Sequence, residues 1–350
     1  MRTSYNENDV CVLLKDITGL VEPEDTKTRE VKIQSGTHYC EMLPKEYVPS
    51  LEYEKTYEEM LDVYAKSVGA AVSVLAERIY QMEQAPVLIS LARAGISAGI
   101  LIKRYLYETY QITVPHYAIS IIRGRGIDDN AMQYILSQHD GSRFVFVDGW
   151  TGKGAIKRQL DEALTNYDCN KTFAVIADPA NVADICGTWE DLMIPSACLN
   201  STVSGLMSRT FLRDDIIGPK DYHGAVYYEE MEPMDRSYEF IDRIAQEFDE
   251  DAVSKCDEVP YLGKTGLDEV KRLAEHFGIS DINLVKPGIG ESTRVLLRRV
   301  PDMIIVNQAD KNAEDLKPIY RLCLEKQVPI VYMDLKRYKV CGIIKQLADA

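Results

Sequence analysis

No window of this 350-residue chain approaches the roughly 18 consecutive apolar residues that a membrane-spanning helix needs. The opening residues, MRTSYNENDVCVLL, also lack the basic stretch and long apolar run of a secretory leader. Both absences lead to the expectation of a soluble, cytoplasmic protein with no membrane partner. The eight cysteines, at 11, 40, 169, 186, 198, 256, 323 and 341, include no C-x-x-C pair. That disfavours a disulfide framework and a structural zinc site, and no metal ligand is assigned from spacing. Internal repeats and low-complexity tracts are missing too. So is a positive charge balance: at −15 the chain as a whole is a poor match for nucleic acid. The charge is uneven, however. Residues 282–350 hold 12 Lys/Arg against 8 Asp/Glu, or +4, which leaves −19 on the remainder and keeps RNA binding open for the tail alone.

What the chain does have is 46% hydrophobic residues, enough to bury a core, and a length suited to two or three domains. The first fifty-odd residues read as irregular. A long helix follows, with a capping-box pattern at Thr56 and Glu59 and an apolar face through Met60, Tyr64, Val68, Val72, Leu75 and Ile79. Strands are expected at 87–91, 114–121, 144–147 and 172–177, with helices near 96–109, 129–137 and 155–165. Such alternation predicts βαβ units around a parallel sheet. Residues 178–243 are less regular, and 246–260 read as an acidic linker. The alternation restarts at 261–350, with helices at 266–277, 290–299 and 313–326 and strands near 282–285, 302–307 and 328–333.

In a doubly wound sheet, ligands sit beyond the carboxyl ends of the strands. Three glycine-bearing loops fall there: Ala92-Arg93-Ala94-Gly95, Arg123-Gly124-Arg125-Gly126, and the run FVFVDGWTGKG, which ends in Asp148, Gly149, Thr151, Gly152, Lys153 and Gly154. Backbone N–H groups, guanidinium groups and a helix start make each a candidate anion site. Gly152-Lys153-Gly154 is not a Walker A loop, because the glycine spacing is too short and Gly follows the lysine. A polar stretch, PSACLNSTVSGLMSRT, offers Cys198, Asn200, Ser201, Thr202, Ser204 and Arg209. Cys198 with the downstream His223 could form a nucleophile and base. His38 and Cys40, two residues apart, form a second such pair.

The order of these loops resembles a type I phosphoribosyltransferase, a parallel sheet with helices on both faces. The resemblance implies that Asp148 binds the ribose of phosphoribosyl pyrophosphate (PRPP), and that Thr151 to Gly154, with Gly149 before them, wrap its 5-phosphate. Ala92 to Gly95 would take the pyrophosphate with Mg2+, Arg123 and Arg125 would close over the site, and residues 196–209 would face a nitrogenous acceptor. Gly149 stands where that family usually has a second acid. Lys286-Pro287-Gly288-Ile289-Gly290-Glu291-Ser292-Thr293-Arg294, with Arg298 and Arg299 beyond it, is similar to the turn of the Pelota (L7Ae-like) α/β/α RNA-binding domain, with Gly290 in place of Asn and Arg294 in place of Lys. It implies phosphate contacts from Lys286, Arg294, Arg298 and Arg299. Together the two resemblances place the chain with the StiP-type family of stress-response and tellurium-resistance operons. They imply a phosphoribosyltransferase-like domain at 1–245, a linker at 246–260 and a Pelota-like domain at 261–350. The expected activity is a PRPP-dependent transfer making a nucleoside-like metabolite, and the fold often pairs, so a homodimer is allowed. Two alternatives stand beside it: a cysteine hydrolase or protease using Cys198 and His223, a label some family members carry, and a non-catalytic PRPP-sensing RNA-binding regulator.

Overall fold

The computed structural model describes residues 1–255 and 266–347. Two short strands, β1 (Cys11–Val12) and β2 (Lys15–Asp16), precede helix α1 (Thr26–Gln34) and the 32-residue α2 (Leu51–Met82). The body then alternates through β3 (Val87–Leu91), α3 (Ala94–Tyr110), β4 (His116–Ile119), a ribbon of β5 (Ile121–Ile122) and β6 (Gly126–Ile127), and α4 (Asp129–Gln138). It continues with β7 (Phe144–Trp150), α5 (Ala155–Ala163), β8 (Thr172–Ala177), β9 (Ile185–Thr188), β10 (Gly224–Ala225) and α6 (Ser237–Ala245). The C-terminal unit runs α7 (Gly266–His276), β11 (Val285–Pro287), α8 (Ile289–Arg298), β12 (Pro301–Asn307), α9 (Lys317–Lys326), β13 (Ile330–Met333) and β14 (Val340–Ile344).

Six parallel strands form the body's sheet in the order β1-β4-β3-β7-β8-β9. Alternate residues feed two cores. Leu88, Val145, Val147, Ala174 and Ile176 face α2, α3 and α6, while Ile89, Phe144, Phe146, Phe173 and Val175 face α4 and α5. Burial on both faces is why these strands read as unbroken apolar runs. The order reverses between β3 and β7, so a crevice opens beyond their carboxyl ends. The C-terminal sheet is mixed, β11-β14-β12-β13, with only β12 and β13 parallel.

Several elements differ from expectation. The long helix begins at Leu51, where the Ser50 hydroxyl accepts from the Tyr53 N–H at 3.2 Å. Thr56 is already inside it and donates back to the Glu52 carbonyl, so it caps nothing. Helix α1 has a polar sequence without an apolar stripe and is held by the Asp25 cap and by burial of Arg29 and Glu30. Strand β1 is too short to show a period, and β9 contains Gly187. Of the acidic stretch at 246–260, residues 256–260 lie outside the described residues, and Glu250–Lys255 forms a 3-10 turn.

The two units share one core. Ile289, Leu296, Leu297 and Leu316 pack in the same apolar cluster as Met193, Ile194, Cys198 and Leu199. That packing seats the C-terminal unit over the crevice of the body. Among the described residues, no helix is long and apolar enough to cross a membrane.

Candidate functional site

At the switch between β3 and β7 the backbone of the following helix must come very close. A Cβ on Gly95 would lie 2.3 Å from the Val147 carbonyl oxygen, so only glycine lets α3 start there. This brings Ala92–Ala94 beside Asp148. A cavity of about 250 Å³ opens at this point, walled by both units: Tyr39, Arg93, Asp148 and Arg209 from the body, and Lys286, Glu291, Arg294, Arg298 and Arg299 from the C-terminal unit.

Its electrostatics are unequal. Glu46 faces Arg93 at 3.6 Å, Glu291 holds Arg294 at 2.8 Å, and Glu30 takes Arg299 with two bonds of 2.6 and 2.8 Å. Arg209, Lys286 and Arg298 have no ion-pair partner among the described contacts. Arg209 lies 4.3 Å over the Tyr39 ring, and Arg298 donates to the Asn200 amide oxygen. Burial lowers the Lys286 ammonium to about 8, although Glu291 opposes the shift. Burial pushes the Asp148 carboxyl up to about 6, against the pull of Arg294.

Several expected site residues already have structural partners. The Thr151 hydroxyl donates to Asp178 at 2.5 Å and accepts from the Ala180 N–H. The Lys153 ammonium, pushed down to about 7 by burial, donates to the carbonyls of Ile282 and Val285 in the C-terminal unit. The Gly152 carbonyl accepts from the Tyr338 hydroxyl, Gly154 begins α5, and Gly149 packs near Ala94. A loop expected to wrap a phosphate thus serves largely as a staple between the units. Arg93 donates to the Met207 carbonyl. Arg125 turns outward to Glu41, while Arg123 reaches Asn283 and also lines the space beside Asp148. In the polar stretch, the Ser201 N–H donates to Glu46, Ser204 donates to the Asn200 carbonyl, and Thr202 is buried.

The Pelota-like turn points inward. A Cβ on Gly290 would meet the Trp150 indole at 2.3 Å, and Arg294 sits 4.4 Å over the same ring. Gly288 is buried, and Asp191 of the body accepts from the Ile289 N–H, capping α8 from another unit. Trp150, Asp191, Glu46 and Tyr39 were not expected at the site. Only Trp150, a large aromatic within a glycine-rich turn, carried a visible signal.

The expected Cys198–His223 pair is not assembled. Cys198 is buried in the α2-side core beside Tyr53, and burial pushes its thiol up to about 12. The His223 ring instead bonds the Ser120 hydroxyl through Nδ1 at 2.8 Å, and the His223 backbone N–H donates to Asp128. The other pair does meet. His38 Nδ1 lies 2.9 Å from Cys40 Sγ, and His38 Nε2 lies 3.0 Å from the Arg123 carbonyl. Cys40 is 1% exposed, and burial pushes its thiol up to about 11. Tyr39, between them in sequence, lines the cavity.

A two-unit α/β chain with buried thiols and an inward-facing basic turn defines the class. The family model for the tellurite-like stress resistance cysteine protease StiP matches residues 3–245, and that for the PELOTA RNA binding domain matches residues 264–346. The cysteine protease StiP of Acinetobacter baylyi (strain ATCC 33305 / BD413 / ADP1) is 32% identical over 365 residues, covering 98% of this chain and 94% of that protein. The chain belongs to the StiP family. These findings overturn the expected phosphoribosyl transfer: the family and the relative are both named for cysteine protease chemistry. The loops that suggested a transferase are explained in part by their bonds to the C-terminal unit. Magnesium entered the expectation only with the PRPP donor. Among the described residues, no group of three or more His, Cys, Asp or Glu is arranged to hold a metal ion.

Proposed function

We propose that this chain is a cysteine hydrolase acting on peptide bonds, with Cys40 as nucleophile and His38 as base, joined to an RNA-binding unit. The observation that carries the assignment is the 2.9 Å contact between Cys40 Sγ and His38 Nδ1, with Arg123 orienting the ring. A carbonyl can only accept, so it fixes the proton on Nε2 and leaves Nδ1 unprotonated; Nδ1 accepts a long 3.4 Å bond from the Cys40 backbone N–H and is the atom that can take the thiol proton. In this reading Sγ attacks the peptide carbonyl carbon as its proton passes to Nδ1. The C–N bond then breaks, the imidazolium returns the proton to the leaving amine, and water hydrolyses the thioester. The sheet order is read as a phosphoribosyltransferase-like scaffold in topology only. The resting pair is a neutral thiol beside a neutral imidazole, since burial raises the one and lowers the other. Access requires displacing the segment at Leu212, whose carbonyl lies 3.5 Å from Sγ.

Hydrolysis of fluorescently labelled casein by the full chain tests this assignment. Cys40→Ser and His38→Ala should each fall to background, while Cys198→Ser keeps the wild-type rate. Retained activity in Cys40→Ser, with loss in Cys198→Ser, would assign the nucleophile to the other thiol.

A further inference from the structure

The base of the proposed dyad takes its orientation from a backbone group, and that group sits on a poorly supported element. His38 Nε2 meets the Arg123 carbonyl at 3.0 Å. Arg123 lies at the tip of the β5–β6 ribbon, which pairs only Ile121 with Ile127 and Ile122 with Gly126 and stands apart from the six-stranded sheet. At the tip the Arg125 N–H donates to the Ile122 carbonyl, and Gly124 takes a φ of +78°, a conformation that favours glycine. So short a ribbon does not hold a carbonyl in one direction by itself.

Two side chains from outside the ribbon supply the missing support. The Gln159 amide oxygen, on α5, accepts from the Gly124 N–H at 2.5 Å. That N–H and the Arg123 carbonyl belong to one planar trans peptide and point in opposite directions, so fixing one end aims the other. The Tyr39 hydroxyl accepts from the Arg123 N–H at 2.9 Å and secures the preceding peptide. Arg123 is thus bracketed on both sides. We infer that Tyr39 and Gln159 are positioning residues for the hydrolysis: they keep the Arg123 carbonyl on His38 Nε2, and so keep the unprotonated Nδ1 turned to Cys40. The inference rests on the Cys40–His38 assignment. The support matters most when the ring is charged. As Nδ1 takes the thiol proton, the bond from Nε2–H to the carbonyl becomes charge-assisted and strengthens. A bond that strengthens only toward the transition state moves kcat rather than KM.

Hydrolysis of labelled casein by the full chain tests this. In Tyr39→Phe and in Gln159→Met, kcat should fall about tenfold with the apparent KM within about twofold, the loss of one hydrogen-bonded support. Tyr39→Phe removes only the hydroxyl, because the ring contacts with His38 at 4.6 Å and with Arg209 at 4.3 Å need no oxygen. Gln159→Glu keeps an acceptor at the same reach and restores the rate. Asn283→Ala is the control: Asn283 holds only the Arg123 guanidinium, at 2.9 Å on the exposed side, and its loss should leave kcat unchanged. Nitrogen-15 spectra of the histidine rings read the same geometry without substrate, with His38→Ala assigning the signal. The wild type should show Nε2 protonated and Nδ1 not, and the two variants a mixture of tautomers. Melting curves show whether each variant remains folded. Unchanged ring signals in both variants overturn the inference whatever the rate. So does an equal fall of kcat in Asn283→Ala, which would reduce the effect to tethering of the ribbon. Ring signals that respond as expected, in a wild type that cleaves no casein, overturn the Cys40–His38 assignment instead.

Discussion

Burial holds the carboxyls of Asp148 and Asp191 up to about 6, above the roughly 3.9 of an unfolded aspartate. A raised folded pKa means that the native state binds the proton more tightly. What these groups contribute to stability is therefore greatest at low pH and is lost as pH rises from about 4 through about 6. Asp148→Asn keeps the shape and removes the buried charge. Thermal melting should show it more stable than wild type at pH 8, by up to about 3 kcal/mol, with the gain vanishing near pH 4. An equal effect at both pH values would mean that the charge on Asp148 is well compensated. Arg294 and Glu291, which face it with opposite signs, set how far the gain falls short of that bound.

Helix α8 depends on the body for its start. Its N-terminal backbone is capped by Asp191, its second residue is a glycine against Trp150, and its last turn is tied through Arg298 to Asn200. Gly290→Ala would press a methyl group into the indole, an overpacking that costs typically 1–3 kcal/mol. Denaturant unfolding should register that loss, and the emission of Trp150 should move toward that of a solvent-exposed indole. An unshifted spectrum and an unchanged midpoint would show that the contact yields easily. Glu30 acts similarly from α1. Its side chain is 1% exposed and bidentate on Arg299, so Glu30→Gln should loosen the C-terminal unit by about 1–3 kcal/mol in the same assay.

The molecule as a whole should unfold as one. Core residues of the C-terminal unit and of the body belong to a single apolar cluster, and Lys153, Tyr338 and Asp191 cross the boundary with hydrogen bonds that are buried or partly buried. Calorimetry should therefore give one transition, with calorimetric and van't Hoff enthalpies in agreement. Two separate transitions would mean that this shared core is weaker than either unit's own.

Buried on both faces, the strands at 87–91 and 172–177 were legible as apolar runs, and the face of α2 as a helical stripe, because local periodicity reports burial directly. The glycine-rich turns were legible as tight βα turns, since such a turn is a local property. Local pattern could not tell what each turn serves. Lys153 and Thr151 have the composition of a phosphate loop, yet their partners are carbonyls of Ile282 and Val285 and the carboxylate of Asp178. The thiols behave the same way. Cys198 and Cys40 are equivalent as letters, and only packing sets one beside Tyr53 and the other against His38. The sequence by itself determined the buried strands and the long helix of the α/β alternation, because backbone preference and apolar spacing act over a few residues. The tertiary structure alone decided that the basic turn of the second unit faces the crevice of the first, because charge and shape matched across more than a hundred residues of chain leave no periodic trace.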